Sequence, residues 1–122
     1  MKIAVTATAP TLDATIDPRF GRCSYFIIIE TNDMSFEAIE NTSVSSSGGA
    51  GIQAAQTIAI KGAKLLITGN IGPNAYKTLN AANIDVIASC NGIVSEAIAN
   101  YQAGVLKATT SANVESHAGI NG

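Results

Sequence analysis

The second half of the chain alternates short apolar runs with helix-like segments, and this alternation constrains the fold most. Residues 64–68 and 85–89 are predicted as strands. Residues 52–61 place apolar side chains near helical spacing, and residues 73–82 and 93–102 are predicted as two further helices that follow glycine-containing turns. Strands that alternate with helices indicate parallel strands joined by right-handed crossovers.

The first half adds three strands and a long loop. Residues 2–8 are predicted as a buried first strand, and residues 24–30 and 35–41 as a hairpin. The hairpin inserts one antiparallel strand. We therefore expect an α/β fold of three layers, with a mixed five-stranded sheet and about three helices. Residues 9–22 carry two prolines without helical spacing, and long loops of this kind are usually functional or disordered.

Composition narrows the class of protein. A chain of 122 residues has the length of one domain, so residues 1–122 are predicted as a single domain with a polar tail over 108–122. Apolar residues make up 47% and charged residues 13%, which excludes intrinsic disorder and a coiled coil. The net charge of −2 argues against nucleic-acid binding. No run approaches the roughly 18 apolar residues of a membrane span, and we expect a cytoplasmic protein.

The scarce reactive side chains are concentrated in the long loop. Both arginines of the chain, Arg19 and Arg22, lie three residues apart, and Cys23 follows directly. With Cys90 there are two cysteines, which are expected to be free thiols. Two are too few for an all-cysteine iron–sulfur site, which takes four.

Four segments are expected to meet at one edge of the sheet, where the parallel strands end and where ligands of open α/β sheets bind. They are the long loop and residues 46–51, 69–73 and 89–92. Three of these segments begin helices, whose free N–H groups and dipoles favour an anion. The arginines add positive charge. Positive surroundings would also lower the pKa of the Cys23 and Cys90 thiols and favour metal ligation.

Each candidate also has a purely structural interpretation. The arginines could pair with Asp13 or Asp17. Cys23 could be a small core residue. The glycines of residues 48–51 could serve only as a flexible lead into a helix, and residues 69–73 form a good turn and helix start whatever they bind.

Four motifs together resemble the dinitrogenase iron–molybdenum cofactor biosynthesis family, the NifX-like domain that also occurs at the C-terminus of NifB. The motifs follow one another in the order DPRFGRCSYF (17–26), GGAGIQAA (48–55), ITGNIGPNAY (67–76) and NVESH (113–117). The FGR sequence before an aromatic strand and the TGNIGPNA turn are the specific parts. The resemblance covers nearly the whole chain.

The resemblance implies a ribonuclease H-like fold and a protein that binds and carries iron–sulfur or iron–molybdenum cluster precursors without catalysis. A relative of this fold holds a molybdenum–copper sulfide cluster. The implied partners are proteins that donate and accept metalloclusters. Many members have His where this chain has Arg19, and many have a small residue in place of Cys23.

The candidate residues fall into two sets. The expected cluster-binding residues are Arg19, Phe20, Gly21, Arg22, Gly48, Gly49, Gly51, Gly69, Asn70 and Gly72. The expected metal ligands are Cys23, Cys90 and His117.

Two other functions stay open at this point. One is a metal-dependent hydrolase or nuclease that uses Asp13 and Asp17 as a carboxylate pair. The other is a regulatory module that binds a nucleotide or phosphate at the same edge. Fold alone does not choose between them.

Overall fold

A computed structural model describes residues 1–42, 49–109 and 112. The predicted strands and helices are confirmed, with ends that differ by at most two residues. In chain order the elements are β1 (Lys2–Ala7), β2 (Tyr25–Glu30), β3 (Phe36–Glu40), α1 (Ala50–Ile60), β4 (Ala63–Ile67), α2 (Pro73–Ala81), β5 (Asp85–Ile87) and α3 (Val94–Gln102).

The sheet has five strands in the order β3-β2-β1-β4-β5. β1, β4 and β5 are parallel, whereas β2 runs antiparallel to both of its neighbours. This confirms the mixed sheet with one antiparallel strand. Ala7 pairs with Tyr25, and Tyr25 pairs with Glu40. The chain therefore leaves β1 and β3, and enters β2, at the edge where β4 and β5 also end. We call this the carboxyl edge.

Both faces of the sheet are covered, which explains why the central strands are apolar on both sides. On one face, side chains such as Phe26, Ile28 and Leu66 pack with α1 and α2. On the other, side chains such as Ile3 and Ile27 pack with α3 and with part of the loop after β1. The result is the expected three-layer arrangement, with an α1/α2 face and an α3 face.

A glycine brings the N-termini of α1 and α2 together. A Cβ atom added to Gly51 would lie 3.1 Å from the Cβ of Ala75, which is closer than nearly all real Cβ contacts. Gly51 is the second residue of α1 and Ala75 the third of α2. The positive ends of the two helix dipoles are therefore neighbours at the carboxyl edge.

The outer edge of β5 is covered by the segment that follows α3. The N–H of Thr109 donates to the carbonyl of Val86, and its hydroxyl accepts from the N–H of Ala88. Its carbonyl accepts from the Tyr76 hydroxyl at 3.1 Å. Among the residues with described positions, none of the helices is sufficiently long and apolar to cross a bilayer.

Candidate functional site

The loop between β1 and β2, residues 8–24, runs along the whole carboxyl edge, and we call it the edge loop. Its first part packs against the start of α3. The N–H of Val94 donates to the carbonyl of Ala14, and the N–H of Ser95 donates to that of Leu12. Glu96 adds a carboxylate to the first turn of α3. The expectation that all three helix N-termini are open to a ligand is therefore wrong for α3.

The second part of the edge loop lies against the turn between β4 and α2. The N–H of Asn70 donates to the carbonyl of Pro18 at 2.8 Å, and the N–H of Phe20 donates to the carbonyl of Asn70 at 3.3 Å. A Cβ atom on Gly69 would come within 2.6 Å of the Cα of Pro18. A side chain at Gly69 is thus excluded by backbone, which explains why glycine begins this turn.

The FGR part of the edge loop contacts the start of α1. A Cβ atom on Gly21 would lie 2.8 Å from the backbone nitrogen of Gly51. The ring of Phe20 is buried and packs against Phe26, with ring centroids 6.1 Å apart. Phe20 therefore anchors the loop in the core and does not present its ring at the surface. The predicted meeting of the edge loop with α1 and with the 69–72 turn is confirmed.

The N-termini of α1 and α2 carry no side-chain cap. Gly49 precedes α1 with a φ of 72°, and Gly72 precedes α2. Neither first turn contains an acidic residue. Within the part of the chain that the structure describes, no side chain at the cap positions satisfies or neutralises these N–H groups, and they retain their preference for an anion.

The two arginines occupy exposed positions beside these N-termini. Arg22 follows Gly21, the residue that touches α1. Arg19 forms a short parallel bridge with Asn70, and its side chain is 64% exposed. Its Nε lies 3.3 Å from Oδ1 of the buried Asp17, so the structural pairing that the sequence allowed is present for Arg19.

Two buried polar side chains, those of Asp17 and Asn41, form hydrogen bonds with the backbone of the edge loop. Asp17 accepts hydrogen bonds from the N–H groups of Arg19 and Ser24. Asn41, at the end of β3, donates from Nδ2 to the carbonyls of Gly21 and Cys23 at 3.2 and 2.9 Å. Asn41 is not among the residues predicted from sequence, because an asparagine after a strand is indistinguishable from an ordinary turn residue.

The cysteines differ from the sequence-based expectation. Burial, reinforced by the charge of Asp17, raises the pKa of the Cys23 thiol to about 12, and burial also raises the pKa of Cys90. The expected lowering by positive groups is wrong, since desolvation outweighs the charge of Arg19 at Cys23.

The structure also separates the two thiols. Cys23 belongs to the α1/α2 face and has no exposed surface, whereas Cys90 packs on the α3 face and lines a cavity of about 230 Å³. Within residues 1–42, 49–109 and 112, no three His, Cys, Asp or Glu side chains form a group that could hold a metal ion. Gly48 and His117 lie outside the described residues.

Known proteins of similar sequence and structure match most of the chain. An uncharacterized protein of Methanocaldococcus jannaschii is 34% identical over 110 residues, which cover 88% of this chain and 90% of that protein. The apo form of the orange protein from Desulfovibrio gigas superposes with a TM-score of 0.90 at 40% identity, over 93% of this chain and 96% of the other.

A Thermotoga protein of the DUF35 family superposes with a TM-score of 0.81 at 34% identity, over 93% of this chain and 97% of the other. The family model described as "Dinitrogenase iron-molybdenum cofactor" matches residues 1–104. With this match over most of its length, the chain belongs to the dinitrogenase iron–molybdenum cofactor family.

Proposed function

We propose that this protein binds, and carries or stores, an anionic iron–sulfur or molybdenum-containing sulfide cluster, or a precursor of one, without catalysing a reaction. The observation that carries the proposal is the pair of uncapped N-termini of α1 and α2, which adjoin each other beside the FGR part of the edge loop. Family membership and the similarity to the orange protein in an apo form support a role in binding a cofactor.

The chemistry of these groups suits a metal–sulfide anion. Backbone N–H groups of Gly49, Gly51 and Gly72 lie at the two N-termini, and the turn that contains Gly69 and Asn70 lies beside them. Each helix terminus stabilises a nearby negative charge by about 0.3–1 kcal/mol at an exposed site. The arginines add charge-assisted donors, which form stronger hydrogen bonds than neutral groups.

Binding in this proposal depends mainly on charge and on backbone donors. Cys23 is enclosed by the core, and Cys90 lies on the other face of the sheet. A metal bond from Cys23, Cys90 or His117 therefore stays a prediction. Cargo held without a complete thiolate set is released more easily, which suits transfer between a donor and an acceptor protein.

The proposed carrier extends over residues 1–122 as one domain and acts in the cytoplasm. Its proposed partners are the proteins that assemble the cluster and the proteins that receive it. Family membership supports this role, since a cofactor in assembly must pass between proteins.

Anaerobic reconstitution tests the proposal. The purified protein is incubated with iron, sulfide and molybdate, desalted, and examined by metal analysis and visible absorption. We expect wild type to retain metal and sulfide, and Arg22→Gln to retain several-fold less. Lys64→Gln is the matched control, because it removes one positive charge near the amino end of β4, away from the carboxyl edge.

A parallel Cys23→Ala sample tests whether the buried thiol contributes a bond. Reduced retention by this variant, with an unchanged melting temperature, would add Cys23 to the site. Absence of bound metal in wild type, or equal retention by wild type and Arg22→Gln, would contradict the proposal.

A further inference from the structure

Asp17 is a buried carboxylate directly beneath the candidate site. It is 1% exposed, and a buried charge is unfavourable unless it is paired and hydrogen-bonded. The described hydrogen bonds to its carboxylate all come from the edge loop. Oδ1 accepts from the backbone N–H and the Nε–H of Arg19 at 3.0 and 3.3 Å, and Oδ2 accepts from the N–H of Ser24 at 3.3 Å.

The backbone of Asp17 is fixed to the centre of the sheet. Its N–H donates to the carbonyl of Thr6 at 2.9 Å, and its carbonyl accepts from the Thr6 hydroxyl at 2.7 Å. That hydroxyl also lies 2.9 Å from the hydroxyl of Thr68, so β1 and the end of β4 are linked at this point. Because its backbone is held by β1, the Asp17 carboxylate has a fixed position, and its hydrogen bonds fix Arg19 and Ser24 of the edge loop relative to the sheet.

Arg19 is the exposed end of this chain of contacts. Its backbone lies beside Asn70, close to the start of α2, while its side chain remains 64% exposed. An arginine side chain without a partner samples many rotamers and loses that freedom when it binds a ligand. A contact from Nε to a rigid carboxylate restricts the guanidinium before any ligand arrives.

We propose that Asp17 is the positioning residue of Arg19, and that it holds the guanidinium beside the N-terminus of α2 for an anionic metal–sulfide cargo. This inference rests on the proposed function. It also implies a trade-off, since the carboxylate offsets one of the two arginine charges at the edge. If only net charge mattered, Asp17→Asn would bind an anion more tightly, because one negative charge is removed from the edge. If Asp17 positions Arg19, the same variant binds the anion more weakly.

Titration with tetrathiomolybdate, a small metal–sulfide dianion, separates these predictions. Its visible absorption is followed without oxygen for wild type, Asp17→Asn, Arg19→Gln and the double variant. We expect each single variant to bind roughly two- to tenfold more weakly, the range for ordering one long side chain. We expect the double variant to bind no more weakly than Arg19→Gln, because Asp17 then has no guanidinium left to orient.

Asp13→Asn is the matched control. Asp13 lies in the same loop, is exposed, and its substitution changes the net charge by the same amount. Its affinity is expected to equal or slightly exceed that of wild type. Affinity of Asp17→Asn equal to or above that of Asp13→Asn would overturn the inference, as would additive losses in the double variant, which indicate a general structural role.

A second measurement needs neither cargo nor a stable Asp17 variant. The chain has only two arginines, so the two Nε–H signals in a ¹H–¹⁵N spectrum are assigned by comparison with Arg19→Gln. We expect the Arg19 Nε–H to exchange with water several-fold more slowly than in free arginine, and exchange at the free rate would refute its fixation. If wild type does not bind tetrathiomolybdate, Asp17 does not position Arg19 for this ligand, and the exchange rate still decides whether Arg19 is fixed. The proposed function is decided separately by the reconstitution.

Discussion

The contact between Gly69 and Pro18 makes a sharp prediction about stability. In Gly69→Ala the new Cβ would lie 2.6 Å from the Cα and 3.0 Å from the carbonyl oxygen of Pro18. These are backbone atoms, and the hydrogen bond from Asn70 to Pro18 holds the two segments together. The clash therefore cannot be relieved by a rotamer change, and overpacking of this kind costs about 1–3 kcal/mol.

The expected size of the effect follows from the length of the chain. For 122 residues the entropy of unfolding near 60 °C is about 0.26 kcal/mol/K, so each kcal/mol lowers the melting temperature by about 4 °C. We expect Gly69→Ala to melt about 4–12 °C below wild type in calorimetry. Urea unfolding should give the same loss of free energy with an unchanged m-value.

Gly72→Ala is the control within the same turn. A Cβ atom there meets nothing within 4 Å, and the φ of −81° is accessible to alanine. Reduced entropy of the unfolded chain should raise the free energy of unfolding by about 0.4–1 kcal/mol. A melting temperature of Gly69→Ala at or above that of Gly72→Ala would refute the close approach of the edge loop to the β4–α2 turn.

Two further predictions concern the support of the edge loop. The raised pKa of Cys23, about 12 against an ordinary 9.0, means that stability is complete below pH 9 and falls as pH rises toward 12, because the unfolded thiol ionises first. Urea unfolding of wild type should show an extra loss of about 1.4 kcal/mol per pH unit in that window, and an equal loss in Cys23→Ala would contradict this assignment. Asn41→Ala should destabilise by about 1–3 kcal/mol in the same assay, since the buried carbonyl of Cys23 and the partly buried carbonyl of Gly21 lose their donor. The exposed Asn80→Ala should change stability little, and similar losses in both variants would argue against the hydrogen bonds of Asn41.

The spacing of apolar residues and the positions of turn residues were sufficient to predict the strands and helices to within two residues at their ends. The alternation of strands and helices specifies parallel strands, and the 25–41 hairpin supplies the antiparallel one. Convergence at the carboxyl edge follows from that topology. The ribonuclease H-like assignment stays a prediction.

The path of the edge loop could not be predicted from the sequence. The contacts that the loop makes with α3, and the burial of Cys23 at its end, could not be predicted either. The carbonyls of Leu12 and Ala14 accept hydrogen bonds from the first N–H groups of α3, a long-range pairing that no local propensity encodes. The thiol pKa values were wrong for a related reason. Cys23 lies next to Arg22 in sequence, yet the fold buries its sulfur, and desolvation then dominates.

The tight glycine contacts have a consequence for the proposed binding and release of a cluster. At Gly21 and Gly69 the segments that border the candidate site meet through main chain, since an added Cβ atom would first meet backbone atoms of Gly51 and Pro18. Backbone segments in such close contact have no side-chain rotamers that could rearrange when a cluster binds or leaves. The empty and loaded proteins should therefore share one backbone conformation, and the difference that a partner protein recognises would lie in surface charge rather than in shape.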